Sequence, residues 1–133
     1  MREILFRGKR TYNGDWVEGC LYKNIYGDYL IREHKVYDDD VYIDDYNIIP
    51  ESISEFTGLT DKNGKKIFEG DIIRNEYRYG QYQCFKVIYN ERTYRWKVEN
   101  KYGMLGELCN VIGNIEVIGN IHDKPELMEE GAE

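Results

Sequence analysis

Two Asn-Gly dipeptides, each between short strand-like runs, limit the fold more strongly than any other part of the sequence. Asn13-Gly14 lies in RTYNGDWVEGCLY, and Asn63-Gly64 lies in LTDKNGKKIFEGDII. Asn-Gly favours a type I′ turn, because both central positions of that turn need a positive φ. The two dipeptides therefore predict two antiparallel hairpins.

Alternating apolar and polar residues predict further strands after the first hairpin turn. The run 16–23 alternates in this way, and another strand is predicted around 29–31. In DDDVYIDDY, Val41 and Ile43 take one face of a strand. The other face, which we expect to be solvated, carries Asp40, Tyr42 and Asp44.

The segment CFKVIYNERTYRWKVEN gives the clearest hairpin pattern. Its first strand places Phe85, Val87 and Tyr89 on one face, residues 90–92 form the turn, and Tyr94, Trp96 and Val98 share a face of the second strand. An apolar stripe on each strand is typical of a hairpin that packs one side against a core.

The letters VIGNI occur twice within residues 111–121. In the first copy, Gly113-Asn114 predicts a two-residue hairpin turn. The second copy leads into HDKPELMEE, where Asp123 is predicted to cap a helical turn with Glu126 as its capping partner and Pro125 inside the first turn. Two copies are too few for a solenoid, so the same letters are expected in two different local structures.

Together these patterns predict a mainly β protein. We expect a small antiparallel barrel-like domain with hairpins at Asn13-Gly14 and Asn63-Gly64 and a short C-terminal helical turn. Residues 1–122 are predicted to form one β-rich domain, with 1–56 and 57–122 as candidate sub-parts, and 123–133 a helical turn and acidic tail. The segment after Pro50 fits either one helical turn or an irregular link.

Charge is distributed unevenly along this acidic chain, whose net charge is −7. Residues 28–55 hold nine acidic and two basic side chains, and 107–133 hold seven acidic and one basic. Residues 71–101 instead hold seven basic and four acidic side chains. An acidic surface repels a phosphate backbone, which argues against duplex DNA as a partner. The basic middle suits an anionic ligand or a charge match with an acidic segment.

No set of residues in the sequence selects an enzyme class, a metal or a cofactor. The three cysteines, Cys20, Cys84 and Cys109, are widely spaced, and we expect buried free thiols in a reducing compartment. The only histidines, His34 and His122, do not stand at ligand spacing from a cysteine. We therefore predict a non-enzymatic protein with no catalytic, cofactor-binding or metal-binding residues. The sequence carries neither a signal peptide nor a membrane-spanning run, which predicts a cytoplasmic location.

The stretch 77–97 interleaves aromatic rings with positive charge, as single-strand nucleic-acid binders do. The candidate interaction surface consists of Tyr77, Arg78, Tyr79, Lys86, Arg92, Arg95 and Lys97. Three interpretations remain: an ordinary sheet with rings inside and charges outside, a surface for another protein, and a nucleic-acid surface. Alternation in a half-buried sheet produces the same pattern without any ligand, so the first interpretation is favoured.

Three segments resemble the YopX family of phage and prophage proteins. They are REILFRGKRTYNGDWVEGCLY near the start, TGLTDKNGKKIFEGDIIR in the middle and VIGNIHDKPELM near the end. The resemblance implies a small β-rich protein that is encoded by bacteriophages or prophages and made in the host cytoplasm. It brings no established activity, cofactor or active site.

The residues that carry the resemblance are predicted to determine the fold, with glycines at turns, Phe6 in the core and Asp71 hydrogen-bonded to backbone N–H groups. They are Phe6, Gly8, Gly58, Gly64, Gly70, Asp71, Gly119, Asn120 and Pro125. The expected function is an accessory role through protein binding or self-association as a homo-oligomer. The alternative is a nucleic-acid-binding module that uses residues 77–97. No membrane partner is expected.

Overall fold

The computed structural model describes residues 3–78, 80–111 and 114–129, which lie almost entirely in strands and tight turns. The strands are β1 (Phe6–Lys9), β2 (Trp16–Lys23), β3 (Tyr29–Tyr37), β4 (Asp40–Asn47), β5 (Ser54–Thr60), β6 (Lys66–Phe68), β7 (Asp71–Arg78), β8 (Gln81–Asn90), β9 (Arg95–Glu99), β10 (Leu105–Glu107) and β11 (Ile115–Asn120). The 3₁₀ turns Pro50–Ser52 and Pro125–Glu129 and one α-helical turn, α1 (Leu108–Val111), are the described helical segments. The predictions of a mainly β fold and a C-terminal helical turn are confirmed.

The strands form two antiparallel sheets, with the orders β4-β3-β2-β1-β5-β6 and β10-β9-β8-β7-β11. Both strand orders are open, so the barrel-like description applies only in its loose sense. The chain divides into two compact units, Met1–Phe56 and Thr57–Glu133, called unit 1 and unit 2 below. The boundary between the units falls within β5.

Three loops share one five-residue arrangement that the two Asn-Gly dipeptides do not predict. They begin at Asn24, Asp61 and Asn100, and Gly27, Gly64 and Gly103 stand three residues later with φ between 80° and 87°. In each loop the first side chain accepts hydrogen bonds of 2.9–3.0 Å from the backbone N–H groups of the third and fifth residues. An Asx residue followed three positions later by glycine was the available sequence signal. At Asn63-Gly64 the predicted hairpin is present, but Asp61 organises its turn.

The hairpin at Asn13-Gly14 is present, but its turn is not type I′. Lys9 pairs with Trp16, which leaves a six-residue connection between β1 and β2. Gly14 has a φ of 76°, whereas Asn13 is not among the residues with positive φ. The Asn13 side chain instead accepts a hydrogen bond from the N–H of Asp15 at 3.0 Å. The N–H of Arg10 also donates a hydrogen bond of 2.9 Å to the carbonyl of Asp15, so the loop is longer than the dipeptide alone predicts.

The core of unit 2 lies between the five-stranded sheet and the elements packed on one of its faces. Its buried members are Ile67, Ile73, Val87, Val98, Leu108, Ile115 and Val117. The predicted β8–β9 hairpin is present, with Val87 directly opposite Val98 and the rings of Tyr89 and Trp96 5.0 Å apart. Tyr94 was predicted to share this face, but it lies in the turn with a φ of 55° and is exposed.

Several motif glycines stand inside strands rather than at turns, which corrects the predicted role of Gly8, Gly58 and Gly119. A Cβ on Gly8 in β1 would lie 2.4 Å from the Ile48 side chain, and one on Gly119 would lie 2.6 Å from that of Leu127. Gly58 adopts a φ of 88° within β5. At Gly8 and Gly119 the missing side chain permits close packing, whereas Gly64 and Gly70 do stand at turns.

Of the two copies of VIGNI, only the second lies wholly within the described residues. Ile112 and Gly113 lie outside the described residues, and with them lies the predicted Gly113-Asn114 turn. The second copy ends β11, and the Asn120 side chain accepts hydrogen bonds of 3.0 Å from the N–H groups of His122 and Asp123. Asn120 therefore holds the turn that precedes Pro125–Glu129. The predicted cap at Asp123 stays a prediction.

The cysteines only partly match the expectation of buried thiols. Cys84 is buried, but Cys20 and Cys109 are exposed, and none of these three described cysteines is in a disulfide.

Candidate protein-interaction surface

Three of the basic residues predicted as an interaction surface, Lys86, Arg95 and Lys97, lie on the face of the five-stranded sheet opposite Val87 and Val98. Lys86 and Lys97 reach this face because strand residues alternate in direction, and Arg95 joins them from the start of β9. Arg92 is exposed in the β8–β9 turn. Tyr79 lies outside the described residues, and Tyr77 and Arg78 are described only as backbone positions of β7.

Acidic side chains of neighbouring strands pair with most of these described basic groups. Lys86 lies 3.3 Å from Glu99, and Arg95 lies 3.7 Å from Glu107. Lys97 also donates a hydrogen bond to Glu107, and this bond, against the opposing effect of burial, lowers the pKa of the Glu107 carboxyl. A phosphate approaching this face therefore meets carboxylates as well as cations.

A second surface, in unit 1, combines exposed apolar side chains with unpaired carboxylates. It is the outer part of the β3–β4 hairpin, residues 32–45, called the ribbon below. Its strands pair in register from Leu30 opposite Asn47 to Tyr37 opposite Asp40. Asp38 and Asp39 form the connection with φ values of 49° and 67°. Two positive φ values in a two-residue loop define a type I′ turn, which aspartate tolerates better than most residues.

Both faces of the ribbon expose apolar side chains, which corrects the expectation that only one face of β4 is solvated. Val36, Val41 and Ile43 are 67%, 63% and 54% exposed on one face. On the other face Tyr37 and Tyr42 are 62% and 49% exposed, and their rings meet edge to face with centroids 5.8 Å apart. Alternation correctly separated the two faces, but the sequence could not show that neither face is covered.

The inner part of the ribbon balances its own charge. Arg32 donates two hydrogen bonds to Asp45, of 2.8 and 3.1 Å. This contact is the largest cause of the lowered pKa of the Asp45 carboxyl. Lys35 donates a hydrogen bond of 3.2 Å to the Tyr46 hydroxyl and lies 3.1 Å from Glu33. These two contacts raise the pKa of the Lys35 ammonium, with the Tyr46 hydrogen bond as the larger cause.

The tip of the ribbon is not balanced. Within the described part of the chain, no basic side chain lies within 4.0 Å of a carboxylate of Asp38, Asp39 or Asp40. The ribbon holds six acidic and two basic side chains. Its tip is therefore an anionic surface next to exposed aromatic rings.

The ribbon also carries an open sheet edge, because β4 is the first strand of its sheet. In an antiparallel ladder only alternate residues of an edge strand bond to its neighbour, so the others direct N–H and C=O groups outward. Such an edge accepts an added strand from another chain.

The described residues also include side chains of the types that bind metal ions. No group of three or more His, Cys, Asp or Glu side chains is placed to hold a metal ion among them. A shallow depression in unit 2 is lined partly by the Lys86–Glu99 pair and by Ile121 and Met128. None of the helical segments in the described ranges has the length and apolar character needed to cross a bilayer.

The central motif TGLTDKNGKKIFEGDIIR has a structural role. Asp61 is buried, and its carboxylate accepts hydrogen bonds of 2.9 Å from the N–H groups of Asn63, Lys65 and Val117. Asp71 accepts a hydrogen bond of 2.8 Å from the N–H of Phe68 at the turn marked by Gly70, as predicted. This motif therefore supports the fold of unit 2, and the exposed chemistry lies elsewhere.

Comparisons with known proteins place the chain in a family. No curated protein matches it. Among solved structures it is similar to the crystal structure of protein EF1440 from Enterococcus faecalis, with 25% sequence identity, a TM-score of 0.63, and coverage of 96% of this chain and 99% of that chain. The family model for the YopX protein matches residues 5–129, which is nearly the whole length. The chain therefore belongs to the YopX family.

Proposed function

We propose that this chain is a non-enzymatic phage-type accessory protein that binds another protein through the ribbon, in the cytoplasm of a bacterial host. The observation that carries the proposal is the exposure of Val36, Val41 and Ile43 on one face of a hairpin whose other face exposes Tyr37 and Tyr42. Family membership supports the phage origin and leaves the partner open.

Apolar exposure on both faces of one hairpin is unusual for a segment with only a structural role. Single exposed apolar residues need no explanation, but a contiguous group with a polar rim often marks a binding surface. The ribbon has both an apolar group and a polar rim, because its apolar side chains stand between the aspartates of the tip and the Arg32–Asp45 pair. Tyrosine is among the residues enriched at protein interfaces, since its ring packs while its hydroxyl stays hydrated.

Nucleic-acid binding through residues 77–97 has weaker support. Lys86 and Lys97 already have carboxylate partners in the sheet, and the ribbon adds negative charge to the chain. Phosphate contacts are driven by free positive charge that releases counterions. The available positive charge of this stretch is therefore smaller than its sequence indicates.

The test compares proteins captured by three tagged forms of the chain from lysate of the bacterium that carries the gene. The ribbon variant combines Val41→Ser with Ile43→Ser, and the control combines Ile4→Ser with Ile25→Ser. The control residues are 71% and 91% exposed and lie outside the ribbon. We expect wild type and control to retain the same specific proteins, and the ribbon variant to lose them.

Identical captured sets for all three folded proteins would contradict the proposal. Light scattering of the purified chain distinguishes self-association from a foreign partner. A dimer that the ribbon variant abolishes would assign the ribbon to a second copy of the chain, whereas a monomer leaves the foreign partner.

A further inference from the structure

We propose that the ribbon recognises an extended segment of its partner protein that alternates basic and apolar residues and adds as a strand to the open edge of β4. This inference rests on the proposed function and specifies the chemistry of the partner. β4 contains eight residues, and the carbonyl of the last one, Asn47, already accepts a hydrogen bond from the N–H of Thr11. A segment added beside the other seven residues would span up to about 24 Å at roughly 3.4 Å per residue.

The alternation of side chains along β4 defines the pattern that the partner must match. One face of β4 carries Asp40, Tyr42 and Asp44, and the opposite face carries Val41, Ile43 and Asp45, of which Asp45 is bonded to Arg32. Side chains of an added strand would alternate between the same two faces, because successive residues of a strand point in opposite directions. Cross-strand neighbours then favour basic side chains beside the aspartates and apolar side chains beside Val41 and Ile43.

The tyrosine pair strengthens the preference for a cation on the first face. Tyr37 and Tyr42 line a shallow depression together with Lys35 and Asp44. Lys35 is held by Glu33 and Tyr46 and also lies 3.8 Å from Asp44. Asp40, which stands opposite Tyr37 at the tip, is the carboxylate of this face that has no basic side chain within 4.0 Å among the described residues. A lysine or arginine of the partner would contact an aromatic ring and a carboxylate together, which favours a cation over a neutral side chain.

A second copy of this chain is a poor occupant of the edge. Pairing of β4 with β4 of another copy would bring together two ribbons that each hold six acidic and two basic side chains. Like charges on an edge strand oppose this self-pairing. The chain does contain a basic and apolar alternating strand, β9, in which Arg95 and Lys97 alternate with Trp96 and Val98. However, β9 is bonded on both sides, to β8 and β10, and cannot be offered to another copy.

The experiment uses fluorescent eight-residue peptides and the full chain. The first peptide alternates lysine with valine or isoleucine. The second has the same composition with its lysines in one block, and the third replaces every lysine by glutamate. We expect the alternating lysine peptide to bind at least about tenfold more tightly than either control, measured by anisotropy. We also expect its affinity to fall when salt is raised from about 50 mM to about 500 mM, because exposed charges are then screened.

Two N-methylated forms of the alternating peptide test strand addition without changing the protein. One is methylated at the odd residues and the other at the even residues, so each removes one set of backbone donors. Only one set can face β4, since the N–H groups of a strand alternate between its two edges. We expect one methylated peptide to lose at least about tenfold in affinity and the other to retain it.

The protein side of the interface is tested with Asp40→Asn combined with Asp44→Asn. These exposed substitutions should weaken binding of the alternating lysine peptide and remove most of its salt dependence. The matched control is Asp15→Asn combined with Asp28→Asn, in exposed loops outside the ribbon.

Three results would overturn the inference: equal affinity for the alternating and blocked peptides, equal affinity for the two methylated peptides, or no binding of any peptide. In each case, ribbon-dependent capture of a protein from lysate would still support the proposed function. If the ribbon variant captured the same proteins as wild type, both the proposed function and this inference would be overturned.

Discussion

Single side chains at loop starts fix several of the described turns in this protein. Asn24, Asp61 and Asn100 each accept two backbone N–H groups of their own loop, so the loop conformation needs no contact with the rest of the chain. Asp61 differs because it also accepts a hydrogen bond from Val117, 56 residues away. That residue therefore joins a local turn to the edge strand β11.

We predict that Asp61→Asn destabilises the protein by about 1–3 kcal/mol, which is typical when a buried hydrogen-bond partner is lost. The asparagine oxygen can still accept the loop N–H groups, but its NH₂ group cannot accept the N–H of Val117. Urea unfolding at neutral pH measures the change. Asp38→Asn at the exposed ribbon tip is the control, because asparagine also tolerates the positive φ found there. Equal stability of Asp61→Asn and wild type would contradict the assigned role.

The charge of Asp61 also predicts a dependence of stability on pH. Burial would raise the pKa of this carboxyl, but hydrogen bonds from the N–H groups of Val117, Lys65 and Asn63 together lower it below its ordinary value of 3.8. The unfolded chain therefore binds the proton more readily than the folded chain. The resulting stabilisation is fully present above the ordinary value and is lost as pH falls through the lower folded value.

Unfolding measured from neutral to strongly acidic pH checks this linkage. The stability difference between wild type and Asp61→Asn should shrink in the acid range, where Asp61 becomes protonated in wild type. A difference that stays constant over the whole range would show that the charge of Asp61 has no part in the effect.

Two glycines provide a second comparison at this scale. Gly103 has a φ of 80° and open space where a Cβ would stand, so Gly103→Ala should cost about 1–2 kcal/mol through backbone conformation alone. A Cβ on Gly19 would instead lie 2.1 Å from the carbonyl oxygen of Arg32. Gly19→Ala must push β2 away from β3. The resulting loss of folding stability should reach or exceed the upper end of the range of about 1–3 kcal/mol. Equal losses of stability for Gly103→Ala and Gly19→Ala, measured by urea unfolding, would contradict this distinction.

At the scale of elements, similar apolar strands serve different purposes in the two units. In unit 2, β7 and β8 bury Ile73 and Val87 completely. In unit 1, the outer parts of β3 and β4 expose Val36, Val41 and Ile43. All these residues belong to alternating strands, so the difference arises from what covers each face and not from strand pattern.

The pair Ile73→Ala and Ile43→Ala tests this difference directly. We expect Ile73→Ala to destabilise the fold by about 2–5 kcal/mol, because it removes a fully buried side chain. Ile43→Ala should change the stability by no more than about 0.5 kcal/mol, as for other exposed positions. Urea unfolding of both variants is the measurement. A large loss for Ile43→Ala would mean that the side chain supports the fold, which would weaken the proposed binding role.

At the scale of the whole molecule, net charge and its internal pairing decide which ligands are plausible. The chain carries a net charge of −7, and the basic stretch 77–97 contributes two lysines that are paired with Glu99 and Glu107. The acidic tip of the ribbon has no such partners within the described part of the chain. The arrangement favours a cationic partner over a polyanion.

We therefore predict that a fluorescent single-stranded oligonucleotide shows no salt-sensitive anisotropy change with this protein, even at low salt. Phosphate contacts would release counterions and make any true binding strongly dependent on salt concentration. Salt-sensitive binding that disappears in a variant combining Arg95→Gln with Lys97→Gln would contradict the prediction. That result would establish the basic stretch as a nucleic-acid surface.

Sequence alone determined the mainly β fold, the hairpins at Asn13-Gly14, Asn63-Gly64 and residues 90–92, and the separation of side chains onto two faces of a strand. These features depend on residues within a few positions of one another, such as Asn90, which accepts hydrogen bonds from two N–H groups of the β8–β9 turn. Only the tertiary structure decided that Val41 and Ile43 stay exposed, that Lys97 meets Glu107, and that Asp61 binds Val117. Burial and charge pairing depend on segments far apart in the chain, so alternation and composition predict a surface without showing what covers it.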